Sequence, residues 1–269
     1  MAADVMTTAE GSPATELRAA MAFEWIKIRT LRSTVWNLGL FLVVSVAVAV
    51  LTGSVMRNAY DDMGAESKAD FDAVATGFGG LRLGLIALVV FGVLTVTSEY
   101  SSGTINSSLT AVPRRGVLYT AKVLTGTATA FVASVVVVAA GFFATQLSLG
   151  GALAASVSDT GAVRALVGAV LYTTLLCAFS IGLAAVLRSS ALTMGLLVPL
   201  FFMVSTILNS LPGVRKFAQF LPDVAGSLIL SSRPAEDTVL TAWTGMAVLA
   251  AWTALALALG YVALRRRNS

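Results

Sequence analysis

The chain has 269 residues, of which 57% are hydrophobic and 12% are charged, and its mean hydropathy is +0.86. Soluble globular proteins carry roughly 25% charged residues, so this composition indicates a polytopic membrane protein with little room for a soluble catalytic domain. The sequence contains no histidine and a single cysteine, Cys177. Histidine-based catalysis, histidine-ligated metal sites, an intrachain disulfide and a paired-cysteine metal site are therefore excluded, and we interpret Cys177 as a small buried hydrophobic residue.

The first 33 residues predict a tail and an amphipathic helix. Residues 1–14 are small and polar, which indicates a disordered cytoplasmic tail. In residues 15–33 apolar side chains recur at helical spacing, and the polar side carries Arg18, Glu24, Lys27, Arg29 and Arg32. We expect this helix to lie in the membrane interface, with its charges facing anionic headgroups and Trp25 in the aromatic belt. An ordinary cytoplasmic cap helix without membrane contact is the alternative.

Six apolar stretches are long enough to cross the roughly 30 Å hydrocarbon core of a bilayer as helices. They cover residues 34–56, 78–98, 118–147, 164–187, 190–210 and 239–264. Their continuous apolar composition favours helices, because a membrane strand would show an alternating pattern over about ten residues. The third stretch is longer than a perpendicular crossing requires, which predicts tilt or projection from the bilayer. The predicted fold class is an all-α polytopic membrane protein, with one transmembrane domain over residues 15–269.

The distribution of charge predicts the orientation of the spans. Eleven of the 18 Lys and Arg residues lie on the side that contains both termini, whereas nine of the 14 acidic residues lie on the other side. Basic residues resist translocation, so both termini are predicted to be cytoplasmic. Nucleic-acid binding is a poor explanation of the basic pI, because the positive charges do not form one patch. The five carboxylates of the outer loop 57–76 lack the pattern of a calcium loop and predict a solvated face.

Two features inside the spans are candidates for the transport path. Arg82 lies near the outer end of the second stretch, either as an interface anchor paired with Asp70 or Asp72 or as a charge that faces an anionic substrate. A proline in the fifth stretch predicts a bend, which forms a candidate gate or is purely structural. The candidate gate residues are Pro199, Phe201 and Phe202.

Two further patterns concern helix packing on the outer side. Residues 211–238 are broken by prolines into pieces too short to span. We expect two short helices that dip into the outer leaflet, with a plain surface loop as the alternative. Gly80 and Gly84 are four residues apart and form a shallow groove on one helix face, which suits close helix contacts within the bundle or between two copies.

The loop after the second stretch, residues 98–116, is the most informative segment. Gly103 permits a turn, and residues 104–110 can form about two helical turns before Pro113 stops them. A short exposed helix between two membrane helices is a mechanical handle, because a cytoplasmic partner that pushes on it moves both spans. Its arginines suit carboxylates of such a partner or lipid phosphates. The handle residues are Glu99, Tyr100, Ser101, Gly103, Thr104, Pro113, Arg114 and Arg115.

These parts together resemble a known family. The lead helix with the sequence FEWIKIRTLRS at 23–33, six spans, EYSSGT at 99–104, and Pro-Arg-Arg at 113–115 followed by Lys122 resemble the permease subunits of ATP-binding cassette (ABC) exporters of the type-2 permease family. The resemblance covers nearly everything after residue 15. It implies that the lead segment is an elbow helix, that the handle is a coupling helix that docks on an ATPase subunit, and that the two outer helices are re-entrant. It also implies a pair of permeases, identical or related, around a central path with two ATPase subunits.

The chain is predicted to transport without catalysing. None of its four lysines lies in a GxxxxGK[ST] phosphate-binding loop, so ATP and magnesium are expected on a partner ATPase, and this chain has no catalytic, cofactor or metal site. The predicted function is the export of a hydrophobic or amphipathic compound, such as a drug, lipid, glycolipid or peptide, by alternating access in a prokaryotic cytoplasmic membrane.

Three alternatives stay open at this point. An ion-coupled secondary transporter or channel would commonly place a carboxylate near the middle of a span, and none of the six stretches has one. A permease-like subunit that senses without transporting would share the same architecture. An intramembrane enzyme is disfavoured by the absence of histidine and of paired aspartates at a cytoplasmic helix end.

Overall fold

The computed structural model describes residues 13–101, 103–104, 114–211, 213–232 and 238–266. Within these ranges six helical segments are long and apolar enough to cross a membrane, which confirms the six predicted spans. They are α2 (Arg32–Tyr60), α5 (Leu81–Ser101), α6 (Arg115–Leu149), α7 (Ala162–Leu187), α8 with α9 (Ser190–Pro199 and Ser205–Ser210), and α12 (Ala242–Arg266). The shorter helices are α1 (Pro13–Thr30), α3 (Ala65–Ala69), α4 (Ala73–Thr76), α10 (Arg215–Ala218) and α11 (Pro222–Ser227).

Several boundaries differ from the predictions by a few residues. Helix α1 begins at Pro13, where a proline is tolerated in the first turn, and it ends at Thr30. Arg32 is therefore the first residue of α2, and its assignment to the elbow helix is corrected. Helix α5 begins at Leu81, because residues 77–80 form turns after α4. The predicted tail up to residue 12 and the coupling-helix residues 105–113, which include Pro113, lie outside the described residues.

Helices α5 and α7 form the centre of the bundle. In their most apolar windows 56% and 67% of the residues are buried, against 22–33% in the other four spans. Helix α7 packs against α12, α6 and α5, while α2 packs against α6 and α5, and α1 lies against α6. The two central helices therefore touch most of the protein, and a displacement of α5 reaches several neighbours at once.

Close contacts between α2 and α5 explain the two glycines singled out in the sequence. A Cβ atom on Gly80 would overlap the backbone oxygen of Ser45, and one on Gly84 would overlap the hydroxyl of Ser45. Small residues permit this approach of two helices in a membrane bundle, where packing and not the hydrophobic effect drives association. The pair is therefore used inside the chain, and the groove is not open to a second copy.

The segment between the fifth and sixth spans contains two short helices, α10 and α11. Five of the six residues of α11 are buried, and α11 packs against α12 and α7. A plain surface loop does not fit this packing. In the fifth span, Pro199 is followed by a π-helical turn over Leu200–Val204, so the irregularity predicted there takes the form of a widened turn. Its role as a gate stays a prediction.

Candidate functional site

Four charged side chains meet at the end of the bundle that carries α1. Lys122 of α6 donates hydrogen bonds to both carboxylate oxygens of Glu24 on α1, at 2.9 and 3.0 Å, and to Oε1 of Glu99 on α5 at 2.9 Å. Lys27 of α1 donates to the same oxygen of Glu99 and lies 3.9 Å from Glu24. We call Glu24, Lys27, Glu99 and Lys122 the ion network.

The ion network is buried and balanced. Glu24 and Glu99 are each 1% exposed and Lys122 is 4% exposed, while Lys27 is half-buried, so two negative charges face two positive ones at a site largely shielded from water. Lys122 also donates to the backbone oxygen of Thr95 at 3.3 Å. Removing one partner from a buried ion pair typically costs about 3–5 kcal/mol, because the remaining charge is left uncompensated. The network therefore holds α1, α5 and α6 in one fixed arrangement.

The charge state of Lys27 reflects this setting. Burial lowers the pKa of Lys27, the positive charge of Lys122 lowers it further, and Glu24 and Glu99 raise it without cancelling the fall. The pKa of Lys27 thus lies below its ordinary value. Among the atoms that the structure describes, Oε2 of Glu99 is buried without a hydrogen-bond partner, so the network is not fully satisfied at the point where α5 leads into residues 102–113.

Both flanks of residues 102–113 are tied to the rest of the bundle. On the α5 flank the guanidinium of Arg188 lies 5.3 Å from the ring centroid of Tyr100, next to Glu99 in the ion network. On the α6 flank Arg114 forms an ion pair with Glu16 of α1 at 3.3 Å, and Arg115 donates to a backbone oxygen of α12 at 3.4 Å. The two flanks of this segment therefore contact α1, α12 and Arg188 at the end of α7.

The structure describes all of the predicted handle residues except Pro113. The structure brings Glu99, Tyr100, Arg114 and Arg115 to the same end of the bundle. Gly103 has a φ of +70°, which suits the turn predicted for it. Gly103 and Thr104 are both exposed.

The predicted polar face of the lead helix requires a correction. Glu24 was expected to face headgroups, but it is buried against α6, and Lys27 is half-buried beside it. The exposed positions of α1 include Trp25, at 47% exposure, and Arg29. The expectation failed because the counter-ion of Glu24 is Lys122, 98 residues further along the chain. The one signal for this contact in the sequence is that Lys122 is the single charge in the apolar stretch 118–147.

A cavity of about 510 Å³ lies at the opposite end of the bundle. Its walls come from α5, α7, the π-helical turn, α9 and the short helices α10 and α11. The apolar lining includes Leu85, Tyr172, Leu176, Phe201 and Phe202. The polar lining includes Arg82, Ser205, Thr206, Asn209, Arg215 and Asp223. Three of the four predicted path residues, Arg82, Phe201 and Phe202, thus share one cavity, whereas Pro199 is not part of its lining.

Arg82 does not act as the predicted anchor to an acidic residue. Its guanidinium donates to the hydroxyl of Thr206, and it forms no ion pair with Asp70 or Asp72, both of which the structure describes. The carboxylate of Asp72 instead accepts hydrogen bonds from the amides of Ala75 and Ser232, at 2.9 and 2.8 Å. The predicted pairing of Arg82 with Asp70 or Asp72 is therefore wrong. Arg82 instead bonds to Thr206 and lines the cavity.

Asp72 and Asp223 show opposite electrostatic behaviour at this end. Burial alone would raise the pKa of Asp72, but hydrogen bonds from Ala75, Ser231 and Ser232 outweigh it and hold that pKa below its usual value. Burial raises the pKa of Asp223 to about 6, although hydrogen bonds and the charge of Arg82 act in the opposite direction. The Asp223 carboxylate accepts a hydrogen bond from Ser205 at 2.8 Å. Sequence reasoning did not single out Asp223.

Comparison with known proteins identifies the family. The family model described as "ABC-2 family transporter protein" matches residues 20–210, which contain the whole ion network and the cavity residues of α5, α7 and α9. No curated protein matches the chain. The family match extends over more than half of the sequence, and the six apolar helices fit a multi-pass membrane protein. The chain therefore belongs to the ABC-2 family of transporter proteins and is a membrane component of such a transporter.

Proposed function

We propose that the chain is the permease subunit of an ABC exporter and that a separate ATPase subunit drives it by docking on residues 99–115. The observation that carries the proposal is the ion network, which joins both helices that flank residues 102–113 to α1. A docking segment is useful only if the force applied to it is transmitted. Buried, mutually bonded charges provide a stiff connection, because separating them would expose uncompensated charge.

The route from the handle to the cavity follows α5. This helix has Glu99 near one end and Arg82 and Leu85 near the other. Its 21 residues correspond to about 30 Å at a helical rise of about 1.5 Å per residue. A push at Glu99 therefore reaches the cavity wall through one rigid element. Because α6 is bonded to the same network, α5 and α6 move together, which is what alternating access requires of a coupled pair of spans.

The remaining parts of the proposal follow from charge and from the family. Both termini lie in the cytoplasm of a prokaryotic cell, so the ion network is at the cytoplasmic face of the plasma membrane and the cavity is at the outer face. Helix α1 acts as the elbow helix, with exposed Trp25 in the lipid interface. Helices α10 and α11 enter the outer leaflet. Two permease copies, identical or related, enclose the path, and ATP and magnesium bind to the ATPase. The cargo is hydrophobic or amphipathic.

Co-purification with the ATPase subunit tests the docking assignment. We expect an ATPase encoded in the adjacent reading frame to co-purify with the intact permease and to be lost when residues 102–113 are scrambled. The matched control scrambles the exposed outer residues 61–70, which leaves the cytoplasmic face unchanged and is expected to retain the ATPase. Retained association in both variants would place docking elsewhere, for instance at the turn of residues 188–190.

Transport in vesicles tests the source of energy. The permease reconstituted alone is expected to leave its cargo undisturbed, and cargo movement is expected only with the ATPase and ATP. Vigorous movement of cargo under an ion gradient, with neither nucleotide nor ATPase present, would contradict the proposed function and favour a secondary transporter.

A further inference from the structure

The outer cavity has an unequal set of charges. Of the described residues that line it, Arg82 and Arg215 are positive and Asp223 alone is negative. The two arginines form no ion pair with any residue that the structure describes. The carboxylate of Asp223 is already engaged by Ser205. Two positive charges against one negative charge therefore leave the cavity with an excess of positive charge that its own residues do not neutralise.

The guanidinium of Arg82 keeps most of its donor capacity. An arginine has five N–H donors in a planar fork that matches phosphate, sulfate and carboxylate groups, and the described contact of Arg82 with Thr206 uses one of them. Arg215 lies on α10 at the rim of the same cavity, and Asn209 adds an amide donor. These groups come from three different elements, so their convergence on one space is a property of the tertiary fold.

The rest of the lining is apolar and large enough for more than an ion. Phe201, Phe202, Leu85 and Leu176 form a continuous hydrophobic wall next to the polar groups. A volume of about 510 Å³ lies within the range of roughly 300–1,000 Å³ that is typical of small-molecule sites. A small inorganic anion would leave this wall without a contact, whereas a molecule with an anionic head and an apolar body would use both parts.

We propose that this cavity binds an amphiphile with an anionic head group, which Arg82 and Arg215 hold while its apolar body packs on Phe201, Phe202 and Leu176. The inference deepens the proposed function by naming a class of cargo and rests on it only for the direction of transport. Asp223 sets an upper limit on affinity, because its negative charge opposes the head group. Arg82, Arg215 and Tyr172 are the other charged or titratable groups that line the cavity, and Ser205 bonds directly to Asp223.

Binding of matched probes to the isolated permease tests this inference without the ATPase. The full chain in nanodiscs of a neutral phospholipid is titrated with decyl sulfonate and with decyltrimethylammonium, which have equal chains and opposite fixed charges. We expect saturable binding of the sulfonate and weaker binding of the ammonium probe. Arg82→Gln with Arg215→Gln is expected to weaken sulfonate binding about tenfold or more, the effect of losing charge-assisted hydrogen bonds. Arg57→Gln, an exposed arginine outside this cavity, is the matched control and should bind normally.

Two further arms separate the inference from trivial explanations. Arg82→Lys retains the charge without the planar fork and is expected to retain part of the binding. This variant keeps the test decisive even if the double variant does not fold. Between pH 7.5 and pH 5 protonation of Asp223 should tighten sulfonate binding, and Asp223→Asn should bind tightly at both values. Equal binding of both probes, or an unchanged affinity in the double variant relative to Arg57→Gln, would overturn the inference.

The source of the anion is distinguished by changing the lipid. If phosphatidylglycerol in the nanodisc competes with the sulfonate probe, the ligand is a membrane lipid of the outer leaflet. If it does not compete, the site takes a separate anionic cargo. Because neither arm involves ATP, failure of the ATPase-docking experiment leaves this inference standing, and failure of probe binding leaves the docking assignment standing.

Discussion

The two ends of the bundle hold their charges in opposite ways. At the α1 end two carboxylates and two ammonium groups neutralise each other, with Glu24 and Glu99 each 1% exposed, Lys122 buried and Lys27 half-buried. At the other end Arg82 and Arg215 face a cavity of about 510 Å³ that contains one carboxylate. Balanced and buried charges fix helices relative to each other, whereas unbalanced and accessible charges are available to a ligand. This contrast supports our proposal of mechanical connection at one end and recognition at the other.

Removing the centre of the ion network should have the largest effect. In Lys122→Ala the carboxylates of Glu24 and Glu99 lose their shared counter-ion in a buried setting, and we expect the free energy of unfolding to fall by about 3–5 kcal/mol. Thermal unfolding in detergent, with the yield of folded protein, measures this loss. The control is Thr120→Ala, at an exposed position on the same helix two residues before Lys122. This substitution should change stability little.

A fully neutral network separates stability from coupling. Glu24→Met, Lys27→Met, Glu99→Met and Lys122→Met together remove all four charges and leave no buried polar group of the network without a partner, so most of the lost stability should return. If the network transmits force, ATP hydrolysis in this variant should continue while transport falls. Full transport by the folded neutral variant would show that the network serves folding only.

At the cavity end a single substitution should affect transport and not stability. Arg82 is exposed, so Arg82→Gln is expected to change the free energy of unfolding by less than about 0.5 kcal/mol. Transport of an anionic cargo should fall about tenfold, because one charge-assisted contact is lost. ATP hydrolysis by the ATPase subunit should continue. Unchanged transport would reduce Arg82 to a structural contact with Thr206.

The pH dependence of stability should reveal the raised pKa of Asp223 at the cavity end. Burial raises the pKa of Asp223 to about 6, so the stability it contributes is complete at low pH and is lost as pH rises from about 4 through 6. Asp223→Asn keeps an acceptor for Ser205 and should unfold at a higher temperature than the unmodified chain at pH 7.5 but not at pH 4.5. Asp70→Asn, at an exposed position, is the control for general charge effects. Equal shifts at both pH values would contradict a raised pKa.

The sequence carries some of these features and not others, for identifiable reasons. The spans were located because an apolar stretch of about 20 residues is by itself the signal for crossing a bilayer. The burial of Glu24 was missed because it depends on Lys122, which approaches only when α1 packs against α6. Lys122 is the single charge of the apolar stretch 118–147, and Asp223 is the single charge between Lys216 and Arg233. That pattern identifies a residue that needs a partner, but the partner is set by tertiary packing.

The cavity was partly predictable for a similar reason. Arg82, Phe201 and Phe202 stood out through a charge and a proline-marked bend, and the structure brings them together. Tyr172 and Leu176 complete the wall from α7, whose sequence in this region carries no charge and gives no sign of a binding surface. A residue that contributes shape alone to a membrane cavity has no distinguishing composition, because its neighbours that face lipid are equally apolar.

The last prediction concerns the hydrogen bonds of Asp72 at the cavity end. Asp72 caps α4 through the amide of Ala75 and accepts from the amide of Ser232, so Asp72→Ala should lower the free energy of unfolding by about 1–2 kcal/mol. Because the pKa of Asp72 is held below its usual value, its contribution is present above about pH 4 and is lost as pH falls through the folded pKa, opposite in sign to Asp223. Unfolding temperatures of Asp72→Ala and the unmodified chain should therefore converge at acidic pH. A constant difference from pH 7.5 to pH 3 would mean that the loss comes from packing, and that the carboxylate does not hold the segment at Ser232 against α4.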